Sequence, residues 1–138
     1  MARKIGLNAK LYRGAAGAPA ANEMKNVRDL STPDNRTKVD ISCRGSEWKL
    51  TETGMREHTL DWEMFWDETD VDFTAIKDAY NNRTAIALMC LSSSDGQGPD
   101  ADYKIVKFEK KEPLDGPITV EVSAAPTYLT RYPAWHAA

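Results

Sequence analysis

The sequence predicts a mainly β protein, a β-sandwich or barrel of about seven strands with one short α-helix. Three observations carry this reading. Several segments alternate apolar and polar side chains with a period of two; one stretch only combines a cap with helical spacing; and runs rich in Gly, Pro, Ser and Asp separate the segments. At 138 residues the chain has the size of one domain that buries roughly two-thirds of the surface its unfolded form exposes. It reads as a single domain, 1–138, with an N-terminal strand or arm over about 1–35 and an extended C-terminal tail over about 126–138.

Taken in order, "KIGLNAKLYR" (4–13) places Ile5, Leu7, Ala9 and Leu11 on one face and reads as a first strand. The small-residue stretch "GAAGAPAAN" (14–22) has no side chains to build a core and reads as a flexible loop. "EMKNVRDL" (23–30) is a weaker strand closed by the turn-rich "STPDN" (31–35). "KVDISCR" (38–44) turns Val39, Ile41 and Cys43 inward, and "EWKLTET" (47–53) keeps Trp48 and Leu50 in phase before Gly54. Over 57–65, His58, Leu60, Trp62, Met64 and then Trp66 fall on one side of a strand, and Glu57, Thr59, Asp61, Glu63 and Phe65 on the other. A helix follows: Asp70 or Asp72 caps it, and Phe73, Ile76 and Tyr80 recur at helical spacing before "NNR". "TAIALMCL" (84–91) is apolar on both faces, as a strand covered on two sides must be. "SSSDGQGPD" (92–100) is an exposed turn or loop, and "ADYKIVKF" (101–108) slips phase between Ile105 and Val106, which predicts a bulge. After the turn "KKEPLDGP" (110–117), Ile118, Val120, Val122 and Ala124 point one way and Thr119, Glu121 and Ser123 the other; the tail "PTYLTRYPAWHAA" (126–138) reads as an extended surface segment.

Composition removes several functions. With 41% hydrophobic and 28% charged residues, and no apolar run near the roughly 20 residues needed to span a bilayer, the chain reads as an ordinary globular protein. Its basic start lacks the apolar segment of a signal peptide, so it is expected to stay in the cytoplasm where it is made. A net charge of −3 gives no general attraction to nucleic acid or anionic membrane. Cys43 and Cys90 are read as small buried hydrophobes.

The chemistry-bearing candidates are weak. Residues 57–72 hold seven carboxylates and three large aromatics with no Lys or Arg, and their acidic side has four candidate surroundings: an active site, a metal, solvent or a negatively charged channel. Asp61 and Glu63 project from one strand face about 7 Å apart, yet no nucleophile motif or Gly-rich phosphate loop accompanies them, so no catalytic residue and no cofactor is assigned. "DETDVD" (67–72) lacks the sixth-position Gly and distal Glu of a calcium loop and is read as helix capping. His58 and His136 have no zinc spacing, so no metal ligand is assigned. Of the four tryptophans, Trp48, Trp62 and Trp66 sit in phase with core positions, and Trp135 lies in the tail.

The order of "R-G-S-x-W" from Arg44, "L-x-W-E-M" from Leu60, "D-F-x-A-I" from Asp72, "G-x-D-A-D" from Gly98, "E-P-L" from Glu112, "T-V" from Thr119 and "P-T" from Pro126 resembles phage tail tube proteins, or major tail proteins, of long-tailed phages and gene transfer agents. The resemblance covers residues 42–128. It implies a tail tube fold and a structural, non-enzymatic role in a virion tail built in the host bacterial cytoplasm. Hexameric rings would stack into a tube that conducts DNA without specific binding, with tape measure and tail terminator or distal tail proteins as further partners. The inner tube of a type VI secretion or contractile injection system is the alternative, and a monomeric carbohydrate- or protein-binding β-sandwich a third. Within the tube reading, Thr59, Asp61, Glu63, Thr119, Glu121 and Ser123 are expected to be exposed on the lumen, on faces poor in basic side chains. Arg3, Lys4, Lys10 and Arg13 are expected to meet Asp67, Glu68, Asp70 and Asp72 of a neighbouring subunit.

Overall fold

The computed structural model describes residues 9–93, 96–128 and 131–136. The expected strand at 4–13 therefore lies partly outside the described residues, as do Arg3 and Lys4. Strands β1 (Lys10–Ala15), β2 (Asn22–Met24), β3 (Val27–Ser31), β6 (Leu60–Phe65), β7 (Ile86–Leu91), β8 (Gly98–Lys111), β9 (Thr119–Thr127) and β10 (Ala134–His136) form one antiparallel sheet. Its order is β2-β1-β7-β8-β9-β6-β3, with β10 added against β8. The stretch read as one weak strand, 23–30, is thus two strands at opposite ends of the sheet. Because only Lys25 and Asn26 join them, a span of about 11 Å at most, the sheet must curl until its ends meet. The result is a barrel with an open seam.

Inward residues from every part of the curl share one core: Leu11, Met24, Leu60, Trp62, Met64, Leu88, Tyr103, Val120 and Val122 are all buried. The helix α1 (Val71–Asn82) adds Phe73, Ile76 and Ala79 to it. Asp70 caps the helix, its side chain accepting from the Asp72 amide at 3.2 Å. Arg83 ends it in the left-handed region at φ 56°. Tyr80, at helical spacing with Phe73 and Ile76, is exposed and stacks on Phe108. Among the described residues no helix is long and apolar enough to cross a membrane.

The two-sided burial expected of β7 is present, and its second cover comes from the loop after β1. Ala20 packs with Ala87, Met89, Leu91 and Tyr12 on the face of β7 opposite the core. The loop is thus fastened rather than flexible: the Gly17 amide donates to both carboxylate oxygens of Asp102, at 3.0 and 3.1 Å. Its φ of 91° favours glycine there.

The predicted bulge also exists, between Ile105 and Lys107, leaving Val106 exposed. It changes which side of β8 faces the core. Before it Ala101, Tyr103 and Ile105 point inward; after it Phe108 does, so Lys107, Glu109 and Lys111 point outward.

The largest departure concerns 34–58. Strands β4 (Asp34–Asp40) and β5 (Thr51–His58) pair only with each other and form a separate hairpin, or arm. The expected strand 57–65 is therefore broken at Thr59, with Glu57 and His58 in the arm and Leu60 starting the barrel strand. Val39, Ile41, Cys43, Trp48 and Leu50, all expected inside, are exposed. Their alternation is real, but among the described residues nothing covers it.

Candidate assembly surfaces

The outer face of β3, β6, β9 and β8 gathers most residues assigned to the lumen. Register places Asp61 opposite Ser123, Glu63 opposite Glu121 and Phe65 opposite Thr119. On the other side of β9, Lys107 lies opposite Ser123, Glu109 opposite Glu121 and Lys111 opposite Thr119. Glu63, Glu121 and Glu109 thus stand abreast on three adjacent strands. Like charges in that position repel. They are compensated by cations in the flanking rows: Glu121 takes Lys111 Nζ at 2.5 Å and Lys107 Nζ at 3.2 Å, Lys107 also reaches Glu109 at 3.2 Å, and Arg28 on β3 reaches Glu63 at 3.5 Å. Ser123 Oγ donates to Asp61.

This corrects the expectation that these faces are poor in basic side chains. The signal missed was the bulge, which rotates Lys107 and Lys111 onto the acidic face. Two further positions differ. Thr119 is only 6% exposed, lying between Phe65 and Lys111 on the neighbouring strands. Thr59 sits at the corner between arm and barrel, its amide donating to the Pro33 carbonyl at 3.0 Å. The electrostatics follow the pairing. Hydrogen bonds from Lys111 and then Lys107 hold the Glu121 carboxyl below its ordinary pKa, while those to Glu109 and Glu121 raise Lys107 and that to Glu121 raises Lys111.

The arm is the second surface. Ile41 donates its amide to the Leu50 carbonyl at 3.1 Å, and Val39 lies opposite Glu52, so Val39, Ile41 and Leu50 share one face. Trp48 near the tip is 73% exposed and Met55 87%. At the root the arm is clamped. Arg56 forks onto both carboxylate oxygens of Asp34 and lies over the Trp135 ring, 5.8 Å from its centroid. His58 Nδ1 is 3.2 Å from the Pro33 carbonyl, which can only accept, so Nδ1 carries a proton, and Nε2 lies within hydrogen-bond distance of the Tyr103 hydroxyl at 2.8 Å.

One pair drawn from the two charge blocks, Arg13 with Asp72, meets within the chain. Arg13 is on the same face of β1 as buried Leu11, beside the start of the helix, and its Nε reaches Asp72 at 2.5 Å with both side chains largely covered. Lys10 pairs with Glu23 at 3.0 Å. Asp70 is used as the cap, Asp67 accepts from the Thr69 amide and hydroxyl, and Glu68 accepts from the Trp66 indole. Arg13 and Asp72, assigned to different subunits, therefore satisfy each other locally.

A site the sequence reading missed ties down the tail. Asp102 is fully buried and, besides the Gly17 amide, accepts from Arg131 Nε at 3.0 Å; Arg131 Nη1 donates to Asp100, also at 3.0 Å. A buried carboxylate demands such partners. Of the two cysteines only Cys90 is buried, and burial pushes its thiol up to about 11.

No protein-family model matches the chain, and no curated protein matches it in sequence. Solved structures do match. The tail of an empty gene transfer agent particle, obtained with helical refinement and C6 symmetry, aligns at a TM-score of 0.79 and 14% identity, covering 98% of this chain and 100% of that one. The SPP1 tail tube aligns at 0.74 and 12% identity, over 89% of this chain and 75% of that one. The six-fold symmetrised baseplate of the anti-feeding prophage aligns at 0.63 and 6% identity, over 99% and 97%. At these identities the common property is the architecture: the curled antiparallel sheet with one helix described above is the tail tube fold.

Proposed function

We propose that this chain is the structural subunit of a phage or phage-like tail tube, six copies closing a ring and rings stacking into a hollow conduit for DNA. The observation that carries the reading is the arm: an apolar stripe on a two-stranded hairpin that the described residues leave bare. A lone hairpin is marginal in water, and a bare apolar face of this kind calls for a partner. A neighbouring copy supplies it without any other protein, and a head-to-tail arrangement needs two unlike patches of this sort. The likeness to a C6 tail supports the six-fold count. Strands β2 and β3, each paired on one side only, are the edges a ring would protect.

In this reading Asp61, Glu63, Glu121 and Ser123 line the lumen, and the inter-subunit role falls on the arm together with Lys10, Asp67 and Glu68. Arg13 and Asp72 are left holding the helix to β1. Tape measure and terminator or distal tail proteins would meet the tube at its inside and ends, and assembly would take place in the host cytoplasm before incorporation into a virion tail. Electron microscopy of the purified chain at rising concentration tests the proposal: six-membered rings and tubes are expected, and a particle that stays monomeric throughout would overturn it.

The likeness to a baseplate chain supports a second reading, an inner tube of a contractile injection system. A sheath protein co-assembling around the tubes would select it, and bare tubes would select the non-contractile tail.

A further inference from the structure

We propose that Glu121 is a charge mask: by engaging Lys107 and Lys111 it keeps the outer face of β3, β6, β9 and β8 from holding a polyanion. The biological meaning rests on the tube reading above; the chemistry does not.

Beyond the bulge this face carries three cations, Arg28, Lys107 and Lys111, and five carboxylates, Asp29, Asp61, Glu63, Glu109 and Glu121. A wall of carboxylates alone would repel DNA; a wall with free lysines would bind it, because cation contacts to phosphate and the counterions they release dominate non-specific affinity. The observed face does neither. Beyond the bulge, Arg28, Lys107 and Lys111 are each engaged by a carboxylate of an adjoining strand or of their own, so a phosphate there can gain a cation only by displacing a carboxylate already present; Lys104, opposite Ala125 before the bulge, lies outside this patch. The burden is uneven. Glu63 engages one cation, and Glu109 shares Lys107, but Glu121 holds two ammonium groups from opposite sides along β8. The bulge at Val106 makes this possible, because without it Lys107 and Lys111 would face the core side. No group of His, Cys, Asp or Glu among the described residues is arranged to hold a metal, so the abreast glutamates are answered by lysines rather than by an ion.

The test uses the dilute full-length chain and a fluorescent 20-base-pair DNA duplex, with binding followed by anisotropy across salt concentrations. Wild type is expected to show little binding. Glu121→Gln, at a half-buried position and checked for folding by circular dichroism, frees Lys111 and leaves Lys107 to Glu109 alone. The slope of log affinity against log salt should then steepen by about 0.9, the value for one phosphate neutralised, and by about 1.8 when Glu109→Gln is added. The larger change corresponds to affinity about tenfold weaker at 200 mM than at 50 mM salt. Glu63→Gln, which frees Arg28 alone, should also give about 0.9. Adding Lys107→Gln and Lys111→Gln to Glu121→Gln should abolish the gain. The proposal fails if Glu121→Gln gains no salt-dependent binding, if wild type already binds with the steeper slope, or if the triple variant keeps the gain. Glu121→Ser carries the same expectation should the glutamine variant not fold. None of these outcomes depends on whether tubes form, which microscopy decides separately.

Discussion

In the barrel, Ile86, Leu88 and Cys90 alternate along β7 and disappear into the core; in the arm, Val39 and Ile41 alternate along the strand and its continuation and stand half in solvent. The local pattern is the same. What differs is the number of layers brought to each: β7 has a core on one face and the 16–21 loop on the other, whereas beyond its clamped root the arm has, among the described residues, a partner strand but no second layer. Period-two alternation thus reports that an apolar face exists. It does not report who covers it.

The sharpest way to widen that contrast is to cut equal amounts of apolar side chain from both regions. Leu88→Ala, at a fully buried core position, should destabilise the monomer by about 3–4 kcal/mol in urea denaturation, the sum of lost transfer energy and a cavity. Nearly as large is Arg131→Met, which strips the buried Asp102 of its guanidinium partner while the Gly17 amide remains. An uncompensated buried carboxylate costs about 3 kcal/mol, and the same urea experiment should show it. If Arg131→Met proves neutral, the tail is ornamental to the barrel.

The fold was readable where local chemistry and tertiary burial agree. Asp70 as helix cap, the slip at Val106 and the double-sided burial of β7 all follow from residues within a few positions of one another, so the sequence displays them directly. The arm was misread because Val39, Ile41 and Trp48 carry the same signature as core strands, and only the pairing of β4 with β5 alone shows that the barrel does not reach them. The charge ladder was half readable. Alternation places Asp61, Glu63, Glu121 and Ser123 on one side, but Lys107 and Lys111 reach that side only through strand order and a register shift. Asp102 and Arg131 are 29 residues apart, and nothing local announces that they meet. Only "DAD" on a strand bound for the interior hints that a buried carboxylate needs a cation.

In the arm, the same kind of deletion should separate stability from assembly. Ile41→Ser with Leu50→Ser is expected to change monomer stability by no more than about 0.5 kcal/mol, as substitutions outside a packed core do, yet to abolish tubes under the microscope. Native-state hydrogen exchange gives an independent reading: arm amides should exchange by local opening and barrel amides only by global unfolding. Arm protection equal to that of β7 in the monomer would mean that something in the chain does cover the stripe.

The smallest effect expected lies where the two regions join. Hydrogen bonding to Arg56 holds the Asp34 carboxyl below its ordinary value of 3.8. A carboxyl depressed in the folded state contributes stability that is fully present above its unfolded pKa and is lost as pH falls through the lower, folded value. Nothing should therefore change at the arm root between neutral pH and about 4, and below that the clamp should loosen as Asp34 takes up a proton. Because both side chains are substantially solvated, screening keeps the contribution to global stability small, and a local readout is needed. The Thr59 amide, bonded to the Pro33 carbonyl beside the clamp, supplies one in nuclear magnetic resonance. Its exchange rate, corrected for intrinsic pH dependence, should be constant down to about pH 4 and rise below it in the wild type. In Asp34→Asn it should already be raised at pH 6 and stay flat on acidification. A wild-type rise already present at pH 6, or an exchange rate that stays flat below pH 4, would show that the Asp34–Arg56 clamp does not hold the arm root.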